Sequence, residues 1–318
     1  MFPRLIRPTT LSWRSAVMLI AVSVPGVPGR ALGQIPEPHQ YRTLQKFDPA
    51  YELPEGVRVD ADVVYSRRGE RALRTDVFRP TRSDGPAPAV VFIQGSGYNG
   101  NNKVHFWREA AYLAQRGYVC LTIEHRGLNT EGAQWPSQLE DASSAIAWLE
   151  DNAERYGVDN GRIGVVGASS GAHLAGLIAL ADSVAGIRMP NVRVAVLISG
   201  LLDVVYFAEN PTWSSDYGMW IDLEPLFGSP FASDPETWLS ASPLTHVSAD
   251  DPPILFVHGT VDASLPSSQT VRVYDRLRSV GGEAELMLVE GGGHEMTNSF
   301  AYSDVLTSML RFLDRYLR

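Results

Sequence analysis

From residue 57 onward, short apolar runs rich in β-branched residues alternate with segments whose apolar positions recur at helical spacing. The runs at 89–93, 118–123, 163–166, 192–198, 254–257 and 285–289 read as strands. Helical spacing falls near 105–116, 138–156, 170–180, 267–280 and 303–317. Before them, 57–65 and 72–78 alternate around a polar turn at 67–70, which predicts an antiparallel hairpin at a sheet edge. Strands alternating with helices predict an α/β class: a mostly parallel central sheet of about eight strands, with helices on both faces. In such sheets the working residues gather on loops at the carboxyl ends of the strands.

Two regions depart from this rhythm. At the amino end, Arg4, Arg7 and Arg14 precede an apolar stretch from Ala16 to Val24, then Pro25, Gly26, Pro28 and Gly29. Ala31-Leu32-Gly33 follows, with Gln34 the first residue after it. That order reads as a signal peptide over 1–33, and so as a secreted or periplasmic protein. The apolar stretch is less than half of the roughly 20 residues a membrane-spanning helix needs. Residues 34–56 read as an arm, and 57–318 as one catalytic domain. The second departure is an aromatic-rich, cap-like insertion at 205–240, carrying Tyr206, Phe207, Trp213, Tyr217, Trp220, Phe227, Phe231 and Trp238. Most of these rings read as a satellite core. Trp213 and Trp220, with Tyr98, are the candidates for contact with a bound substrate.

The densest chemical signal is Gly167-Ala168-Ser169-Ser170-Gly171, directly after the strand run at 163–166 and directly before a small-residue helical pattern. Strand, Gly-x-Ser-x-Gly and helix in that order specify a nucleophile elbow. A serine held in a strained turn needs nearly side-chain-free neighbours two positions away on each side. Only Ser169 has glycines at both offsets, so Ser170 is not the nucleophile.

A serine hydroxyl needs a base, and the base needs an orienting carboxylate. Asp262 follows the run at 254–257, and His294 follows the run at 285–289 through Gly291-Gly292-Gly293. Both therefore fall on the sheet edge where Ser169 emerges. Asp203 is a weaker alternative acid. His258 and His173 read as packed residues, one at a strand end and the other on the helix after the elbow. The backbone N–H groups of Ser96, Gly97 and Ser170 are the candidate oxyanion donors.

These segments together resemble the α/β-hydrolase superfamily, with the order Ser169, Asp262, His294. The resemblance rests on the elbow followed by Gly171-Ala172-His173-Leu174-Ala175, on residues 94–98, on His258-Gly259 with Asp262, and on Gly293-His294. It is nearest the acetylxylan- and feruloyl-esterase-like and hormone-sensitive-lipase-like carboxylesterases. It implies an α/β-hydrolase fold and a serine esterase forming an acyl-enzyme, with no cofactor and no metal. The family's His-Gly-Gly-Gly-Trp loop reads Gln94-Gly95-Ser96-Gly97-Tyr98 here, so both the histidine and the middle glycine are replaced.

Net charge narrows the partners. At −9, with no dense basic run, the chain repels polyanions, which argues against nucleic acid. Cys120 is the only cysteine and lies in an apolar run, so intramolecular disulfides and two-cysteine metal motifs are excluded. The expected substrate is a small-molecule or polysaccharide-linked ester carrying a short or aromatic acyl group. Two alternatives use the same scaffold: an exopeptidase of prolyl-oligopeptidase type, and a hydrolase-fold binding protein without activity.

Overall fold

The hairpin expected at the sheet edge is formed by β1 (Val57–Arg68) and β2 (Arg71–Pro80), paired antiparallel. The register shifts between Asp60 and Val63, where Asp62 takes φ 55°. The buried Asp76 carboxylate holds this bulge: it accepts the Asp62 N–H, the Trp107 indole N–H and the Lys103 ammonium. A computed structural model describes residues 52–98, 103–128, 130, 133–210, 223–294 and 302–318. The signal segment, nearly all of the arm, Trp213 and Trp220 lie outside the described residues.

The parallel strands are β3 (Ala87–Ile93), β4 (Val119–Ile123) and β5 (Val158–Ala168). The small β6 (Ser183–Val184) and β7 (Ile187–Arg188) hairpin follows. β8 (Val194–Ile198), β9 (Ile254–Gly259) and β10 (Ala284–Val289) complete the sheet. Its order is β1-β2-β4-β3-β5-β8-β9-β10, antiparallel at the β1 end and parallel from β4 onward. Every residue of β3, β4 and β8 is buried, as their continuous apolar runs require.

Helices follow as α1 (Trp107–Gln115), α2 (Ser137–Asp151), α3 (Ala153–Tyr156) and α4 (Ser170–Leu180). Next come α5 (Val204–Glu209), α6 (Glu224–Phe227), α7 (Pro235–Ser240) and α8 (Pro243–His246). The last two are α9 (Ser267–Ser279) and α10 (Tyr302–Leu317). Two buried apolar clusters, one on each face of the sheet, form the core. The single helix expected at 138–156 is two, divided at Asn152. β5 begins five residues before the expected strand, because Val158 pairs with Ala87 ahead of the apolar run.

The cap-like insertion contains three short helices among its described residues. Two of their starts obey ordinary capping chemistry: Asp203 accepts the Tyr206 N–H at 3.2 Å, and Asp234 accepts the Thr237 N–H at 3.2 Å ahead of Pro235. Its rings pack on one another. Phe227 lies 4.8 Å from Trp238 and 5.5 Å from Trp135, centroid to centroid, as a satellite core should.

One buried group sets a pH dependence. Glu109 on α1 is buried, and Glu109 Oε2 has no hydrogen-bond partner among the described residues. Burial pushes its carboxyl up to about 7, against smaller lowering effects from the backbone and Arg108. The folded chain therefore retains a proton that the unfolded chain releases between its ordinary pKa and about 7, so stability falls as pH rises through that window. Glu109→Gln is expected to flatten this slope, with stability near that of the wild type at pH 5 and greater by on the order of 2–3 kcal/mol at pH 8. Urea unfolding at the two pH values measures the difference; an equal effect at both pH values would contradict it.

Candidate active site

β5 runs into Ser169 and α4 begins at the next residue, so the candidate nucleophile sits at a one-residue corner. Ser169 takes φ 53° and ψ −123°, a strained conformation for a residue with a side chain, costing about 1–3 kcal/mol. The surroundings impose it: Ser169 N–H donates to Ile198 O at 2.9 Å, and Ser169 O accepts the N–H groups of Ala172 (3.0 Å) and His173 (3.1 Å). The flanking glycines are steric necessities. A Cβ on Gly167 would overlap the carbonyl of Gly171, and one on Gly171 would overlap the carbonyls of Ile93 and Gln94. The elbow thus packs α4 directly onto the loop after β3.

Asp262 lies three residues past β9 and His294 five past β10. Backbone bonds tie the two loops together, with Thr260 N–H donating to Val289 O and Val261 N–H to Gly292 O, both at 3.0 Å. His294 bridges the other two residues: Nε2 is 2.8 Å from Ser169 Oγ, and Nδ1 is 2.8 Å from Asp262 Oδ2. An ionised carboxylate only accepts, so Nδ1 carries the imidazole proton and Nε2 faces the serine hydroxyl as acceptor. Ser169 and His294 are partly exposed, whereas Asp262 is buried.

Four donors surround that carboxylate. Oδ1 accepts the N–H groups of Ser264 (2.8 Å) and Leu265 (2.9 Å). Oδ2 faces His294 and also His258 Nε2 at 3.1 Å. Burial raises the Asp262 pKa, but hydrogen bonds from His258, His294 and Leu265 outweigh it and hold the carboxyl well below the usual carboxylate range. His258 is fully buried, as its place at a strand end implies, and it also touches the acid. Its Nε2 faces two acceptors, Asp262 Oδ2 and Leu265 O, and so carries the proton, while Nδ1 accepts from Thr270 Oγ1 at 2.7 Å. The i,i+4 spacing of His258 and Asp262 across a strand end was the available signal for this contact.

The loop after β3 departs from expectation at one point. Ser96 N–H, a candidate oxyanion donor, donates to Ser170 Oγ at 3.1 Å, and Tyr98 N–H reaches the same oxygen at 3.3 Å. Gly97 N–H, at an exposed position between them, has no acceptor among the described residues. Ser170 N–H belongs to the first turn of α4, where helix geometry supplies no intrahelical acceptor. Gly97 and Ser170 are therefore the donors the arrangement leaves for an oxyanion.

Tyr98, a candidate for substrate contact, is buried, and its hydroxyl lies 2.8 Å from His173 Nδ1. His173 Nε2 is 2.6 Å from Ala241 O, so that nitrogen carries the proton and Nδ1 accepts from Tyr98. Burial holds the His173 imidazole neutral, with its pKa lowered to about 4. The alternative acid, Asp203, caps α5 and lies 2.8 Å from Arg272. Among the described residues, no group of three or more His, Cys, Asp or Glu is placed to hold a metal ion, and no helix is long and apolar enough to cross a membrane.

Comparison with known proteins gives the same frame. A carboxylic ester hydrolase, LipM of Mycobacterium tuberculosis, so named with the qualifier probable, is 30% identical over 232 residues, 70% of this chain and 52% of its own. An isoprenylcysteine alpha-carbonyl methylesterase of Arabidopsis thaliana is 26% identical over 256 residues, 77% of this chain and 58% of its own. The chain thus spans little more than half the length of these relatives. Among solved structures, the apo form of Thermogutta terrifontis esterase 2 superposes with a TM-score of 0.69 at 24% identity, covering 86% of this chain and 99% of that one. A truncated carbohydrate esterase from gut microbiota gives 0.67 at 22%, covering 81% and 96%. These likenesses establish the fold as that of an α/β-hydrolase, and the family profile named BD-FAE matches residues 75–277: the chain belongs to the BD-FAE family.

Proposed function

We propose that the protein hydrolyses carboxylic esters through a Ser169 acyl-enzyme. Ser169 Oγ attacks the ester carbonyl while His294 Nε2 takes its proton, then returns that proton to the departing alcohol. Asp262 keeps the proton of His294 on Nδ1 and stabilises the imidazolium. Gly97 and Ser170 N–H groups receive the charge that develops on the carbonyl oxygen. Water then attacks the acyl-enzyme by the same steps in reverse role, and none of these steps calls for a cofactor. The observation that carries this reading is His294 bridging Ser169 and Asp262, at 2.8 Å on each side.

The substrate proposed is an ester of a short or aromatic acid, including acetyl and feruloyl groups on plant polysaccharide, met outside the cytoplasm. Its support is the family membership, the esterase names carried by the relatives, and a signal-like amino end. On p-nitrophenyl esters, kcat/KM is expected to peak at acetate to butyrate and to fall by at least tenfold at decanoate. A maximum at long chains would overturn the acyl preference. Faster turnover of peptide nitroanilides than of any ester would overturn the esterase reading itself.

A further inference from the structure

We propose that the Ser170 side-chain hydroxyl is a positioning group that holds the 96–98 loop in its oxyanion-accepting form; this deepens the esterase reading and rests on it. Ser170 is buried on the first turn of α4, next to the nucleophile. Its oxygen receives two backbone N–H groups from one short loop, Ser96 at 3.1 Å and Tyr98 at 3.3 Å. That loop needs a fastening. Gly97 takes φ 60°, and Tyr98 takes φ 63° despite its side chain, a conformation that persists only where the surroundings over-determine it.

The residue standing where the resembling loop has histidine does not supply the fastening. Gln94 is buried, and neither polar atom of its amide has a hydrogen-bond partner among the described residues. The remaining holds are Leu128 N–H on Tyr98 O at 2.8 Å, and the Tyr98 hydroxyl on His173. Both act on Tyr98, at the far end of the loop. Among the described residues, only Ser170 Oγ grips the residues on both sides of Gly97, whose N–H has no acceptor there. The hydroxyl is thus distinct in role from the Ser170 N–H, which would touch the oxyanion itself, and Ser170→Ala removes the first while keeping the second.

Two readouts test this. The first is amide hydrogen exchange at Ser96 and Tyr98, which does not depend on turnover. Both amides are expected to be protected in the wild type and to exchange at least tenfold faster in Ser170→Ala. The second is kinetic. With p-nitrophenyl acetate, Ser170→Ala is expected to lose about 10–100-fold in kcat with KM within about threefold, somewhat less than the loss of an oxyanion donor outright. Affinity for a trifluoromethyl ketone, whose hemiketal places an oxyanion in the same position, is expected to weaken by the same factor as kcat/KM. A lowered thermal midpoint with unchanged kcat and inhibitor affinity would mean a merely structural hydroxyl, and would overturn the proposal. So would unprotected Ser96 and Tyr98 amides in the wild type, a result that needs no variant. A wild type that turns over no ester would instead sink the esterase reading, and the oxyanion role with it, while exchange would still report whether the hydroxyl anchors the loop.

Discussion

Ser169→Ala is expected to lower kcat on p-nitrophenyl acetate by about 10⁵–10⁶-fold, the scale of loss when a serine nucleophile is removed from an intact triad. The fold should survive, because Ser169 is held through its backbone: its N–H is on Ile198 O, and its carbonyl is on Ala172 and His173. Ser170 cannot take over as nucleophile. It is buried, and its oxygen already accepts two amides of the neighbouring loop. Whatever activity remains is that of the oxyanion donors and of binding alone. Circular dichroism and single-turnover measurement on the same preparation separate the two effects. Residual activity above about 1% of wild type would mean that another group performs the attack.

Asp262→Asn is expected to cost about 10⁴-fold in kcat at neutral pH, and its geometry says why. Oδ1 of Asp262 accepts two backbone N–H groups, from Ser264 and Leu265, so in the variant the amide oxygen must occupy that site. The amide nitrogen then faces His294 Nδ1 and points donors at it. His294 responds by moving its proton to Nε2, where it confronts the Ser169 hydroxyl and cannot accept from it. The same nitrogen also faces His258 Nε2, placing donor against donor in a buried site. A lowered thermal midpoint should therefore accompany the kinetic loss. A fall in kcat of less than tenfold would show that Asp262 does not set the tautomer of His294.

The sequence was legible where local pattern and chemistry agree. Continuous apolar runs gave β3, β4 and β8, and the two glycines around Ser169 gave the elbow, because each follows from neighbours within a few residues. The spacing of Asp262 and His294 after their strands placed both on the same sheet edge. What the pattern did not reveal depended on partners far along the chain. The Ser96 N–H read as an oxyanion donor because the loop is small and polar; its acceptor, Ser170 Oγ, is 74 residues away. Tyr98 read as a pocket residue, yet its hydroxyl meets a histidine 75 residues on. The short cap helices carried clear start signals at Asp203 and Asp234, but their few apolar residues face a satellite core that has no periodicity of its own.

The burial of α4 has a consequence for how the protein would fail on heating. All eleven residues of this helix are buried, and the amides of Ala172 and His173 close onto Ser169 O. A segment enclosed in this way has no low-energy opening of its own, so its hydrogen-bonded amides are expected to exchange only when the whole domain unfolds. Ser169 is therefore expected to sit on the last part of the molecule to melt. Activity lost below the global transition would then come from the loops that carry Gly97, Asp262 and His294, and stabilising those loops, rather than the helix under the serine, is the route to greater heat tolerance.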